Sequence, residues 1–377
     1  MQSLSSRSLN TERICTVRSI YSTPLSSPNT MSLNGVVNGH HSISRPLKAG
    51  VYAPIPTFFL KDSEDLDIPS FEAHIARMAA AGVPPLIAGT MGEAHHLSHS
   101  ERTLLIRTTR RVLDDAGKTH VPIIAGTGVG STRETIEVTK EAAEAGADYA
   151  IVIASGYFAG VLANNKQALK DFWAEVAEKS PIPVMIYNYP GSSGGIDLDS
   201  DIITELAISS PNLCGVKLTC GNVGKLTRLA EAIAGDAFQA NYPRKNSDAP
   251  FLILGGFADF LLPSAFVDAH GAITGLANLV PNTLIKLYQL AEQSKTDLTV
   301  LPEAQKLQGI VARADYTIAK AGIAGTKYLL EKLYGYGGVP RKPLPPIDAA
   351  AGAAVWEHPH TQAVVAIERE LSGKTKA

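Results

Sequence analysis

From Gly50 onward the chain alternates between short apolar runs rich in Val and Ile and longer segments of helical periodicity. The runs fall at residues 51–56, 86–90, 121–126, 149–154, 184–187, 213–218, 251–254 and 272–276. Their mean spacing is roughly thirty residues, the length of one strand–helix unit. Eight such units favour a closed (β/α)8 TIM barrel, an α/β fold, over an open sheet, although counting alone leaves the open sheet standing. Two helix starts are marked by Ser98-His-Ser-Glu101 and Ser131-Thr-Arg-Glu134, each an S-x-x-E pattern in which serine and glutamate cap reciprocally.

The barrel is expected to occupy residues 49–295. Residues 296–377 read as additional C-terminal helices at 303–318 and 322–333, with a terminal helix at 349–371, forming a helical appendix or an oligomer contact. Residues 1–48 are different in kind. They are rich in Ser and Asn and carry Arg7, Arg13, Arg18, Arg45 and Lys48 against the single acid Glu12. That composition fits a mitochondrial transit peptide, a disordered tail, or an upstream start with Met31 as the first residue. The expected location is accordingly cytoplasmic or mitochondrial.

Composition narrows the function. The formal net charge of −2 gives no general affinity for nucleic acid. No apolar run approaches about 18 residues, so no membrane span is expected. Cys15, Cys214 and Cys220 are odd in number and lack metal-ligand spacing, which points to a reducing compartment.

In a barrel the chemistry lies at the C-terminal ends of the strands. Run six reads Leu213-Cys-Gly-Val-Lys217-Leu-Thr219. Alternation puts Cys214, Val216 and Leu218 toward the helices, and Gly215, Lys217 and Thr219 inside. A buried ammonium is costly unless paired or used, so Lys217 is either the partner of a buried carboxylate or a nucleophile. Run five ends Tyr187-Asn188-Tyr189-Pro190-Gly191. If Met185 and Tyr187 face inward, a phenol able to shuttle protons stands beside Lys217, though tyrosine is also a common packing residue. Run two ends Gly89-Thr90-Met91-Gly92-Glu93, a turn whose backbone N–H groups can approach an anion.

These three strand ends, in this order, resemble the dihydrodipicolinate synthase/N-acetylneuraminate lyase family of class I aldolases, and its fungal members in particular. The resemblance runs from about Gly50 to Ile347 and includes Gly271-Ala-Ile-Thr-Gly275-Leu-Ala-Asn278 as the eighth strand. It implies that Lys217 is the Schiff-base lysine and Tyr187 the proton donor and acceptor. Thr90 is then the hydroxyl linked to Tyr187, and Tyr157, in Ser155-Gly-Tyr-Phe158, the second tyrosine of that relay. Substrate contacts are implied at Thr90, Met91, Gly92 and Ile273.

Two departures matter. Met91 stands where relatives often carry a hydroxyl or amide for the substrate carboxylate, which leaves more of that work to backbone N–H groups. Ser192 occupies the place of the synthase arginine, and no arginine lies between Pro190 and Gly195. That weighs against dihydrodipicolinate synthesis. It leaves cleavage of a 2-keto-3-deoxy sugar acid or 4-hydroxy-2-oxoglutarate to pyruvate, or a related 2-keto acid, and an aldehyde. The polar residues Asn188, Ser192 and Ser193 suit a hydroxylated chain. A synthase-type condensation, an imine-forming dehydratase and a barrel that only binds are the rivals. The expected partner is a small 2-keto acid, the expected assembly a homodimer or homotetramer, and the reaction calls for neither cofactor nor metal.

Two further patterns have ordinary readings. Glu93, His95, His96 and His99 could hold a metal, but the spacing is not H-E-x-x-H and the helix start at Ser98 explains the segment. Gly126-Thr-Gly128-Val-Gly130 lacks the third glycine position of a dinucleotide loop and reads as a strand-to-helix turn.

Overall fold

The computed structural model describes residues 44–373 apart from residue 234. The expected runs become eight parallel strands: β1 (Gly50–Pro54), β2 (Pro85–Ile87), β3 (Ile124–Gly126), β4 (Tyr149–Ile153), β5 (Val184–Asn188), β6 (Leu213–Leu218), β7 (Leu252–Gly255) and β8 (Gly271–Ile273). They close in sequence order into a barrel, β8 pairing with β1. Each is followed by a helix of the outer layer: α1 (Ile68–Ala81), α2 (His99–Asp115), α3 (Thr132–Glu144), α4 (Lys166–Lys179), α5 (Ser200–Ser209), α6 (Val223–Ile233), α7 (Leu261–Ala265) and α8 (Pro281–Ser294). The fold is a (β/α)8 barrel with further helices at its C-terminal end.

Local chemistry sets the helix starts. At α2 both halves of the capping box form: Ser98 accepts from the Glu101 N–H, and the Glu101 carboxylate accepts from the Ser98 N–H. At α3 only the serine half forms, with Ser131 accepting from the Glu134 N–H. The Glu134 carboxylate lies 3.7 Å from the His99 ring instead.

Strand alternation separates two apolar layers. Met185, Tyr187, Ile151, Leu252, Leu254 and Ile273 fill the barrel interior, while Val184, Ile186, Val216, Leu218 and Ile253 pack against the helices. Cys214 departs from the expected alternation and belongs to the interior. The cause is an irregularity in the β5–β6 register. Val184 pairs with Leu213 but Met185 pairs with Gly215, so Cys214 is the extra residue. Gly215 takes up the bulge at φ 149°, where an added Cβ would lie 2.5 Å from the Leu252 carbonyl oxygen.

Three boundaries move. Residues 44–48, grouped by composition with the N-terminal extension, belong to the barrel. Leu47 is buried, donates its N–H to Asp248 O, and shares the interior core. The transit-peptide, tail and upstream-start readings of residues 1–43 lie outside the described residues. β2 stops at Ile87 because Ala88 turns the chain at φ 54°. The single terminal helix expected at 349–371 is two helices, α11 (Ala349–Glu357) and α12 (Pro359–Leu371). His358, preceding a proline, is held extended at ψ 132° and separates them.

The C-terminal helices are built into the barrel mouth rather than appended to it. α9 (Leu301–Ala319) carries Gln308 and Asp315, seven residues apart on one buried face. Both bind the loop between β7 and α7. The Gln308 amide accepts from Leu262 N at 2.7 Å and donates to Ala258 O, and Asp315 Oδ2 accepts from Ala258 N at 2.7 Å. Glu368 of α12 caps the start of α8, accepting from Thr283 N at 2.8 Å. Among the described residues, no helix is long and apolar enough to cross a membrane.

Candidate active site

At the C-terminal ends of the strands a cavity of about 260 Å³ opens between β2, β5, β6 and β7. Lys217 and Tyr187 both line it. They are register partners on adjacent strands, which alternation turns inward together. The Lys217 ammonium nitrogen lies 4.3 Å from the centre of the Tyr187 ring. Lys217 is 4 % exposed, and no carboxylate among the described residues pairs with it. The reading of Lys217 as the partner of a buried carboxylate therefore fails. Burial alone lowers its pKa from 10.5 to about 7. The amine is thus available as a nucleophile near neutrality, where an ordinary lysine is neutral in roughly one molecule in 2,500.

Tyr187 is buried, and burial raises its pKa against the opposing pull of the Thr90 and Thr219 hydroxyls. Thr90 Oγ1 stands 3.4 Å from the phenol oxygen. Thr219 is the next inward residue after Lys217 on the same strand end. Tyr189 lines the cavity too, its ring stacked on that of Tyr187 at 5.8 Å.

Thr90 and Met91 also line the cavity, on the glycine turn. That turn is closed by Glu93 N donating to Thr90 O and Ala94 N donating to Gly89 O. The N–H groups of Met91 and Gly92 have no backbone or side-chain acceptor among the described residues. Gly92 is sterically required, since an added Cβ would sit 2.8 Å from Ile55 O. Ala88 and Glu93 flank the turn at φ 54° and φ 53°, backbone that only surrounding structure can hold in place.

Glu93 is so held. Its carboxylate pairs with Lys327 of α10 (Gly322–Tyr334), both side chains fully buried, and accepts from Arg341 N at 2.8 Å. His96 Nδ1 is 3.0 Å away on the same carboxylate. His99 pairs instead with Glu141. Glu93 is thus spent on an ion pair that ties the glycine turn to α10, while His99 joins α2 to α3.

Other expected residues fall elsewhere. Ile273 is fully buried in the barrel interior, and the eighth strand end reaches the cavity through Gly275 and Leu276. Tyr157 is 90 % exposed on the turn after β4, its ring against Phe158. Within one chain it lines no cavity that Tyr187 touches. Asn188 is used structurally, donating to Asp197 and accepting from Leu198 N. Ser193 donates to Tyr189 O. Ser192 lines a second cavity of about 210 Å³, which Thr90, Tyr187 and His95 also line. A shallower depression of about 600 Å³ lies at the opposite end of the barrel, where Lys295 pairs with Asp268, far from these groups.

Asp315, Tyr189, Thr219 and Thr326 complete the polar lining and were not singled out from the sequence. Thr219 shares the inward face of Lys217 and was visible by alternation. Asp315 comes from a helix after the barrel, and nothing in its neighbourhood in the sequence marks it.

Comparison with known proteins finds relatives that cover most of the chain. The profile of the Dihydrodipicolinate synthetase family matches residues 48–356. The chain is 40% identical over 322 residues to the L-threo-3-deoxy-hexylosonate aldolase of Aspergillus niger, covering 83% of this chain and 94% of that one. It is 42% identical over 315 residues to a protein of Emericella nidulans named "Probable 4-hydroxy-2-oxoglutarate aldolase, mitochondrial", with the same coverage. A crystal structure of a dihydrodipicolinate synthase family protein from Coccidioides immitis superposes with a TM-score of 0.71 at 35% identity, covering 86% of this chain and 98% of that one.

Proposed function

The chain belongs to the dihydrodipicolinate synthetase family and is a carbon–carbon lyase of the aldolase type; from that premise we propose that Lys217 forms its Schiff base and that it cleaves a 2-keto-3-deoxy sugar acid or 4-hydroxy-2-oxoglutarate. The observation that carries this reading is Lys217 itself, a buried amine without a counter-ion whose pKa stands at about 7, beside a phenol. The products are pyruvate, or a related 2-keto acid, and an aldehyde.

The chemistry follows from those groups. The neutral Lys217 amine adds to the C2 carbonyl, and loss of water gives a protonated imine. The adjoining carboxylate is received by the glycine turn, where the N–H groups of Met91 and Gly92 have no acceptor among the described residues. Tyr187, having given its own proton to the water that leaves in imine formation, takes that of the C4 hydroxyl as the C3–C4 bond breaks, and the bonding electrons pass into the imine as an enamine. Protonation at C3 and hydrolysis then release the keto acid. Thr90 orients the phenol. A role for Tyr157 in this relay needs a second copy of the chain, which fits a homo-oligomer that would cover Tyr157, Phe158 and Val161, all exposed here. The basic, Ser-rich composition of residues 1–48 and the name of the Emericella nidulans relative favour a mitochondrial location.

Borohydride reduction in the presence of pyruvate tests the reading directly. The peptide containing Lys217 is expected to gain a reduced pyruvyl group; a protein unmodified at Lys217 is not a Schiff-base aldolase. Two further outcomes are expected. Tyr187→Phe should lower kcat by about 10²–10⁴, the usual scale of a proton-transfer group, while Lys217 is still trapped by pyruvate. The pH profile should show kcat/KM falling tenfold per pH unit below about 7 and level above it, because only neutral Lys217 adds to the carbonyl. A profile still climbing at pH 9 would mean that burial does not depress this lysine.

A further inference from the structure

We propose that Asp315 of α9 reads the far end of the substrate, holding a hydroxyl of a neutral polyol tail and turning away a second carboxylate. This rests on the aldolase reading of the cavity. It chooses between the two substrates left open above, in favour of the 2-keto-3-deoxy sugar acid.

Asp315 lines the same cavity as Lys217 and is 5 % exposed. The lining it shares is largely apolar, with Phe257, Leu276, Ile318 and Ile323, and the Thr326 hydroxyl is donated to Gly322 O. Among the lining residues the only basic side chain is Lys217, and as the protonated imine its charge lies at C2, beside the substrate's own C1 carboxylate. A tail carboxylate would therefore have to leave water for an apolar wall with no positive partner and with an acid already present. Asp259 stands close enough to Asp315 to push its pKa up further, adding a second acid to that side.

The carboxyl is also fixed. Oδ2 accepts from Ala258 N at 2.7 Å, so the group is oriented by the loop following β7 rather than free to swing away. Burial is the main reason its pKa is raised to about 7, so both protonation states exist near neutrality. A hydroxyl is served by either state, as donor to the carboxylate or acceptor from the acid. A second carboxylate is served only by the protonated one. The polar requirement of the site is thus met in full by a polyol and only in part by a dicarboxylate.

The test compares pyruvate release from 2-keto-3-deoxy-hexonate and from 4-hydroxy-2-oxoglutarate by the full-length enzyme and by Asp315→Asn. The wild type is expected to favour the neutral tail in kcat/KM by at least about tenfold. Asp315→Asn keeps an acceptor oxygen for Ala258 N and offers an NH2 donor to a hydroxyl, but carries no charge. It should move the ratio toward the dicarboxylate by about tenfold, mainly through KM for that substrate. If Asp315 only props the β7–α7 loop, both substrates suffer alike and the ratio stays put, which overturns the proposal. A wild type that prefers the dicarboxylate overturns it too, without recourse to any variant. Pyruvate trapping on Lys217 in the same preparations keeps the two claims apart. Trapping with an unmoved ratio rejects the role of Asp315 alone, and absence of trapping rejects the aldolase reading beneath it.

Discussion

Lys217→Met is expected to abolish turnover and, at the same time, to make the protein harder to unfold. Loss of the amine removes the imine and with it the electron sink for C3–C4 cleavage, so kcat should fall at least about 10⁴-fold. The stability gain follows from the same burial. An unfolded lysine titrates near 10.5, whereas Lys217 titrates near 7. Between those values the folded protein binds fewer protons than the unfolded chain, so its stability rises with pH. The penalty of burying the amine is therefore fully present below about pH 7 and fades as pH approaches 10.5. Methionine is similar in length and carries no charge, so the variant should gain up to about 4 kcal/mol at neutral pH. Denaturant unfolding at pH 7 and pH 10 measures this, and the gain should shrink at the higher pH. A variant less stable than the parent at pH 7 would mean that the ammonium has a partner the geometry lacks.

The second large effect is expected far from the chemistry. Lys327→Met strips the ammonium from a fully buried pair and leaves the Glu93 carboxylate with only Arg341 N and His96. Breaking a buried pair from one side costs about 3–5 kcal/mol. Replacing both partners, Glu93→Gln with Lys327→Met, should recover much of that loss, because no charge is then stranded. Activity is expected to follow position as well as stability. Glu93 closes the turn that carries Thr90 and Met91 into the cavity, so Lys327→Met should raise KM for pyruvate-yielding substrates in protein that is still folded. Arg133→Ala, which removes an exposed pair with Glu137, serves as the control and should change neither quantity measurably. If Lys327→Met unfolds at the same denaturant concentration as the parent, the pair does not anchor α10 to the turn.

Both predictions turn on residues whose legibility in the sequence differs sharply. Lys217 was placed inside the barrel by alternation, and alternation is a property of the strand alone. Lys327 was one lysine in an amphipathic helix, with nothing to show that it reaches a glutamate more than two hundred residues earlier. Cys214 shows the limit of alternation. A single bulge at Gly215 turned it inward while leaving Lys217 where the pattern put it, because the irregularity lies before the lysine. The break at Pro359 was readable and was missed, since the apolar periodicity on either side ran in phase across it.

By itself the sequence determined eight strand–helix units and the inward position of Lys217, and it favoured, without deciding, a closed barrel with Tyr187 beside that lysine. Those are consequences of short-range periods. Only the tertiary structure decided that Lys217 lacks a counter-ion, that Glu93 is spent on Lys327, and that Asp315 enters the cavity. Each of these depends on which groups share a space from which water is excluded. Desolvation and pairing are set by neighbours brought together across the whole chain, and no local pattern encodes them.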